Sequence, residues 1–194
     1  MSATVLVPIA NGSEEIETVC IVDTLVRAGA KVIVASVEAD KQCKMSRGVN
    51  MVSDVLVSDV AGENFDCIAV PGGMPGAQTI SDNAQFMALL SKHVGEGKLY
   101  GAICAAPAVV LQAHGLIPSG AVATSFPAFA EKLENYSEER VVHTGKLVTS
   151  RGPGTAIEFA LGLIKELVAA GKLDDEKAKS VPVGMLIPPE YVKL

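Results

Sequence analysis

Residues 4–37 read TVLVPIANGSEEIETVCIVDTLVRAGAKVIVASV, and this stretch decides the fold. Thr4 to Ile9 is a short, apolar, β-branched run that predicts a buried strand. Asn11-Gly12-Ser13 is a turn, and Ser13 can cap a helix. Glu14 and Glu15 follow, where the unpaired amides of a first turn favour negative charge. Ile16, Val19, Cys20, Val22 and Val26 continue at mostly helical spacing until Ala28-Gly29 stops the helix. Lys31 to Val37 then reads as a second strand. Strand, helix, strand is a βαβ unit, which predicts a parallel sheet with a right-handed crossover.

The pattern recurs. Cys67 to Val70 predicts a strand closed by Pro71-Gly72-Gly73, with a helix around Asn83 to Val94. Leu99 to Ile103 predicts a strand, and Ala105 to Ala113 a helix ended by Gly115. Val122 to Thr124 reads as a short strand, and Val141 to His143 with Leu147 to Thr149 as a hairpin around Gly145-Lys146. Thr155 to Ala170 is a long apolar helix. Alternating strands and helices make a doubly wound α/β sandwich, with residues 1–194 as a single domain. Pro182, Pro188 and Pro189 disfavour a regular terminal helix, so residues 173–194 read as an irregular cover.

The totals exclude several classes of function. The chain has 194 residues, 49% of them hydrophobic and 20% charged, a globular composition. Its net charge of −6 argues against nucleic acid or an anionic membrane as main partner. Trp is absent and aromatics make up only 4%, which disfavours base-stacking surfaces. The start, MSATVLVPIANGSEE, has neither a basic nor a long apolar segment, so a cytoplasmic, reducing location is expected. The ending Tyr191-Val192-Lys193-Leu194 departs from the peroxisomal Ser-Lys-Leu address at Val192. Cys20, Cys43, Cys67 and Cys104 are scattered, with no CxxC pair, so neither a metal nor a disulfide framework is expected.

Ligands of doubly wound sheets bind outside the carboxyl ends of the strands. The segments just after strands are Ala10 to Ser13, Pro71 to Gly76, Cys104, and Ser150 to Gly154. Cys104 stands at an abrupt strand-to-helix turn between small residues, Gly101-Ala102-Ile103 before it and Ala105-Ala106 after it. Such turns are crowded and often strained. A sulfur near a helix N-terminus is expected to favour the thiolate, the reactive form. The backbone of Pro71-Gly72-Gly73, with the amide of Ala105, suits an oxyanion hole, although it also fits a plain βα turn. Glu17, one turn along the first helix, suits a protonated carboxyl that donates to the sulfur, or a solvated helix face. Ser150 to Thr155 fits an anion cradle with Arg151, or a turn with a helix cap.

Together, Asn11-Gly12-Ser13-Glu14-Glu15-Ile16-Glu17-Thr18, Val70-Pro71-Gly72-Gly73, Ala102-Ile103-Cys104-Ala105-Ala106-Pro107 and Thr149 to Thr155 resemble the ThiJ/PfpI superfamily, in the branch of the Parkinson-disease protein DJ-one. The resemblance implies a flavodoxin-like fold and a homodimer. It implies Cys104 as an oxidation-prone nucleophile, Glu17 bonded to its sulfur, and Gly73 and Ala105 as amide donors beside it. It places Arg27, Arg47 and Arg151 near the pocket or the dimer seam. The implied activities are glutathione-independent glyoxalase chemistry on small 2-oxoaldehydes, repair of early aldehyde adducts on proteins, and redox-sensitive chaperoning, none needing a cofactor. One departure stands out: Phe126 occupies the loop position where many members carry a histidine, and His93, His114 and His143 lie in other segments. Without a Cys-His pair, protease chemistry is disfavoured and proton transfer falls to Glu17. An inert, buried Cys104 would instead mean a non-catalytic interaction module.

Overall fold

A computed structural model describes residues 2–192, so Lys193 and Leu194, which end the tail read above, lie outside the described residues. The opening unit forms as expected: β1 (Thr4–Ile9), α1 (Glu15–Arg27) and β2 (Lys31–Ser36). Two short strands, β3 (Gln42–Lys44) and β4 (Asn50–Val52), pair as an antiparallel hairpin beside the main sheet. After β5 (Val55–Leu56) and the single turn α2 (Val57–Val60) come β6 (Cys67–Val70), α3 (Gly76–Asp82), α4 (Ala84–Gly95) and β7 (Leu99–Ile103). β8 (Val141–Thr144) and β9 (Leu147–Ser150) form the expected hairpin, followed by α5 (Ala156–Ala169) and α6 (Asp175–Gly184).

The seven strands of the main sheet run in the order β5-β2-β1-β6-β7-β9-β8, and only the β8–β9 pair is antiparallel. From β1 the chain first builds outward through β2. It then returns to lay β6 on the other side of β1. The switch point therefore falls between β1 and β6, where the loops after the two strands meet, the Glu14 amide donating to the Gly72 carbonyl at 3.0 Å. Side chains alternate across the sheet with period two. Leu6, Ile68, Val70, Tyr100 and Ala102 pack under α3 and α4, while Val5, Val7, Cys67, Ala69, Ile103 and Val148 pack under α1, α5 and α6.

The structure differs from the sequence reading in four places. Ser13 does not cap α1; its Oγ accepts the Ala10 amide at 3.0 Å, and Glu14 caps the helix instead. The helix after Cys104 starts as a π-helical turn over Pro107–Leu111, where the Gln112 amide reaches back to the Pro107 and Ala108 carbonyls. Such turns recur at functional sites. Val122 to Thr124 forms no strand, only an isolated bridge between Ala123 and Tyr136. Both edges of β7 are already taken by β6 and β9, so this segment cannot pair beside the strand that carries Cys104. Finally, the tail is not wholly irregular, because α6 forms despite Pro182. Asp174 caps it by accepting the Lys177 amide at 2.8 Å, Pro182 sits near its end, and Ala178 and Val181 are buried. Among the described residues no helix is long and apolar enough to cross a membrane.

Candidate active site

The loops after β1, β6, β7 and β9 converge at the carboxyl end of the sheet, and Cys104 sits among them. Its φ is +64°, in the left-handed region that costs a side-chain-bearing residue about 1–2 kcal/mol. Two backbone hydrogen bonds hold it there. The Cys104 amide donates to the Ser150 carbonyl at 3.0 Å, and the Phe126 amide donates to the Cys104 carbonyl at 2.8 Å. Cys104 is only 9% exposed, which limits its access to small reagents.

Two glycines make room for this turn. A Cβ on Gly72 would stand 2.6 Å from Cys104 Cβ and 2.9 Å from the Ala105 nitrogen, so no side chain fits. Gly73 has φ +86°, and a Cβ there would collide with the Gly12 carbonyl and lie 2.5 Å from the Glu14 nitrogen. Freed in this way, the amides of Gly73 and Ala105 both donate toward the Cys104 sulfur. The expected pair of amide donors is thus brought to one atom.

Glu17 is fully buried at the start of α1. The Gly72 amide donates to its Oε2 at 2.7 Å. Its other oxygen, Oε1, is buried and makes no complete hydrogen bond, yet the carboxyl lies close enough to Cys104 for each group to alter the other's proton affinity. Burial pushes Glu17 up to about 7, against the pull of the Gly72 amide, and the charge of Glu14 adds to the rise. The carboxyl is thus enclosed in the protein and not part of a solvated helix face.

The thiol behaves otherwise than expected. Burial, followed by the charge of Glu17, pushes Cys104 up to about 12, while the Gly73 and Ala105 amides pull it down. A helix terminus that begins with a π turn, over a desolvated sulfur beside an ionised carboxylate, does not make an acidic thiol. The two groups instead compete for one proton, and the thiolate is favoured only when Glu17 holds it.

The remaining predicted residues are dispersed. Phe126 borders the site through its backbone, and its half-exposed ring packs over Gly152. Arg47 lies on a loop docked against α1: its amide donates to Glu15 Oε1 at 2.8 Å, and its guanidinium bonds the Ser46 carbonyl. Arg151 follows β9, but its guanidinium is engaged by the Glu138 carbonyl and the Tyr136 hydroxyl, each at 3.2 Å, rather than forming an anion cradle. Arg27 ends α1, paired with Asp23 at 2.6 Å, and lies about 15 Å along the helix from Glu17. The histidines are engaged elsewhere: His93 with the Leu99 carbonyl, His114 with Ser81, and His143 with Glu166. Sequence reasoning missed Gly72 as the donor to Glu17, although the paired glycines carried the signal. It also missed the Ser150 carbonyl, a backbone group that no residue type announces.

Comparison with known proteins identifies the family. The sequence matches the DJ-1/PfpI family over residues 3–166. It is 44% identical over 170 residues to Protein DJ-1 homolog B of Arabidopsis thaliana, covering 87% of this chain but 39% of that protein; the chain thus spans about two fifths of that relative's length. It is 38% identical over 168 residues to a Caenorhabditis elegans protein named glutathione-independent glyoxalase DJR-1.2, covering 86% of this chain and 88% of the relative. The structure of oxidized Toxoplasma gondii DJ-1 superposes with a TM-score of 0.88 at 50% identity, covering 95% of this chain and 98% of the other. With the family matched over most of the chain and the same fold in its solved relatives, this protein belongs to the DJ-1/PfpI family.

Proposed function

We propose that the chain is a cysteine-dependent, glutathione-independent glyoxalase, or a deglycase, acting on methylglyoxal-type 2-oxoaldehydes or their early adducts. The observation that carries this reading is the buried carboxyl of Glu17, poised near neutrality beside a cysteine that receives two backbone amides. In the reactive form Glu17 holds the shared proton and Cys104 is the thiolate. The sulfur attacks the aldehyde carbon, a C–S bond forms, and the carbonyl oxygen takes the proton from Glu17. The result is a hemithioacetal, with its developing charge met by the Gly73 and Ala105 amides. The Glu17 carboxylate then removes the proton from that carbon and delivers it to the neighbouring keto carbon, while the hydroxyl proton of the first carbon passes to the keto oxygen. One carbon is oxidised and the other reduced, so no external electron acceptor is needed. Water cleaves the resulting thioester, releasing lactate and restoring the thiol. A positioned acid–base group contributes about 10²- to 10⁴-fold. The name of the nematode relative supports the same chemistry.

The test is lactate production from methylglyoxal without glutathione. Cys104→Ala is expected to abolish it and Glu17→Gln to reduce it by at least about 100-fold. Full activity in Cys104→Ala removes the reading.

One observation favours a second role for the same sulfur: the amides and a protonated Glu17 form a cradle for a sulfinate. Two peroxide molecules would each deliver one oxygen to the sulfur and leave as water. Such a protein would be an oxidative-stress sensor or redox-regulated chaperone in the cytoplasm. A homodimer fits the exposed Ile16, Val19 and Val26 on α1, the last two bordering a groove shared with Val52; sedimentation of a monomer would remove it.

A further inference from the structure

Glu14 occupies an uncommon position. Helix N-caps are usually Ser, Thr, Asp or Asn, whose short side chains reach the first amides at little entropic cost. Here a glutamate caps α1, is only 7% exposed, and accepts the Glu17 amide on Oε2 at 2.7 Å. Ser13, a better cap by type, stands next to it and is turned to the Ala10 amide. A longer, costlier acid has therefore been placed where a shorter neutral cap would suffice to start the helix.

The hydrogen bonds close a ring. The Glu14 amide donates to the Gly72 carbonyl at 3.0 Å. The Gly72 amide donates to Glu17 Oε2 at 2.7 Å. The Glu17 amide donates to Glu14 Oε2, completing the circuit. This ring ties the start of α1 to the loop that delivers Gly73 to the sulfur. It occupies Oε2 of Glu17 and leaves Oε1 without a complete hydrogen bond, free to exchange a proton with Cys104. From this ring we propose that Glu14 is a positioning residue: it fixes which carboxyl oxygen of Glu17 faces the chemistry and, by its charge, holds the proton on Glu17.

The inference rests on the acid–base role proposed for Glu17. The titratable groups around Glu17 are few. Glu14 raises it from the cap and Cys104 acts from the turn after β7; Cys20, further along α1, feels the charge of Glu17 in turn, and the loop after β6 contributes only the Gly72 amide. Glu14 is therefore the acidic neighbour able to oppose ionisation of Glu17.

The experiment is a carbon-13 NMR titration of the Glu17 carboxyl in the intact protein, alongside the pH profile of lactate formation. Glu14→Gln keeps an acceptor for the Glu17 amide and removes the charge. Its expected effect is a downward shift of the Glu17 midpoint, smaller than the rise that burial causes, with the pH profile moving by the same amount. Glu14→Asp, which keeps both charge and cap, is expected to restore a midpoint near that of the wild type. Should Glu14→Gln fold poorly, Glu14→Asn, a stronger cap, makes the same measurement. An unmoved midpoint in the neutral variants overturns the proposal and leaves Glu14 as a helix cap alone. If the wild type makes no lactate, the glyoxalase reading fails, while the NMR midpoint still decides the role of Glu14.

Discussion

Replacing Glu17 by Gln should make the protein more stable, and increasingly so as pH rises. Glu17 is fully buried, and its carboxyl is pushed up from 4.5 to about 7. A carboxyl whose folded pKa lies above its unfolded value binds more protons in the native state. Its contribution to stability is therefore lost as pH climbs from the unfolded value through the folded one. The full difference of about 2.5 units corresponds to about 3 kcal/mol, and the part falling between about pH 5 and pH 7.5 is about 2 kcal/mol. This window lies below the titration of Cys104, which burial and the Glu17 charge place at about 12. Gln keeps an oxygen to accept the Gly72 amide, which the wild type bonds at 2.7 Å, so the packing survives. Urea denaturation of both proteins at the two pH values measures the effect. The stability advantage of Glu17→Gln should grow by about 2 kcal/mol from the lower pH to the higher. A constant difference would mean that Glu17 is ionised throughout, and the proton-sharing argument would fall with it.

Other consequences follow from the same geometry. Iodoacetamide should label Cys104 more slowly than a free thiol near neutral pH, and faster in Glu17→Gln, because the second-largest influence holding the thiol protonated is the Glu17 charge; equal rates in the two proteins would contradict the coupling. Gly72→Ala should abolish lactate formation and destabilise the fold by about 2 kcal/mol or more, since its Cβ would lie 2.6 Å from that of Cys104, and a near-wild-type melting temperature would refute this. Mild peroxide should add two oxygens to the intact mass, at Cys104 rather than at the fully buried Cys67, and the addition should vanish in Cys104→Ala.

The fold was legible because its signals are local and repeated. Short continuous apolar runs, set between turns and helices, mark β1, β2, β6 and β7, and the parallel order follows from strand-helix alternation. What escaped was decided by tertiary competition. Val122 to Thr124 has strand composition, but Ala123 pairs with Tyr136 in an isolated bridge and both sides of β7 are filled. Pro182 argued against a terminal helix, yet Asp174 caps α6, and burial of Ala178 and Val181 outweighs one lost amide bond. At the site, Cys104 was visible from its small neighbours, and Glu17 became convincing mainly through resemblance to a family. The acidity of the thiol could not be read from position. A helix start argues for the thiolate, but burial and an adjacent carboxylate argue against it, and their balance is set by distances that sequence does not contain.

That balance also explains why the site tolerates strain. A left-handed cysteine costs the fold about 1–2 kcal/mol, and a buried carboxyl costs more as it ionises. Neither is needed to build the sheet, since β7 pairs fully with β6 and β9 before Cys104 is reached. The strained turn brings the sulfur to the Gly73 and Ala105 amides, and in the proposed chemistry the Glu17 carboxylate takes the one proton that the sulfur must give up to react. With Phe126 offering only its backbone amide at the family's histidine position, no imidazole stands ready to take that proton. The proposed chemistry therefore turns on how tightly Glu17 binds its proton, an affinity raised first by burial and then adjusted by the Gly72 amide, Cys104 and Glu14.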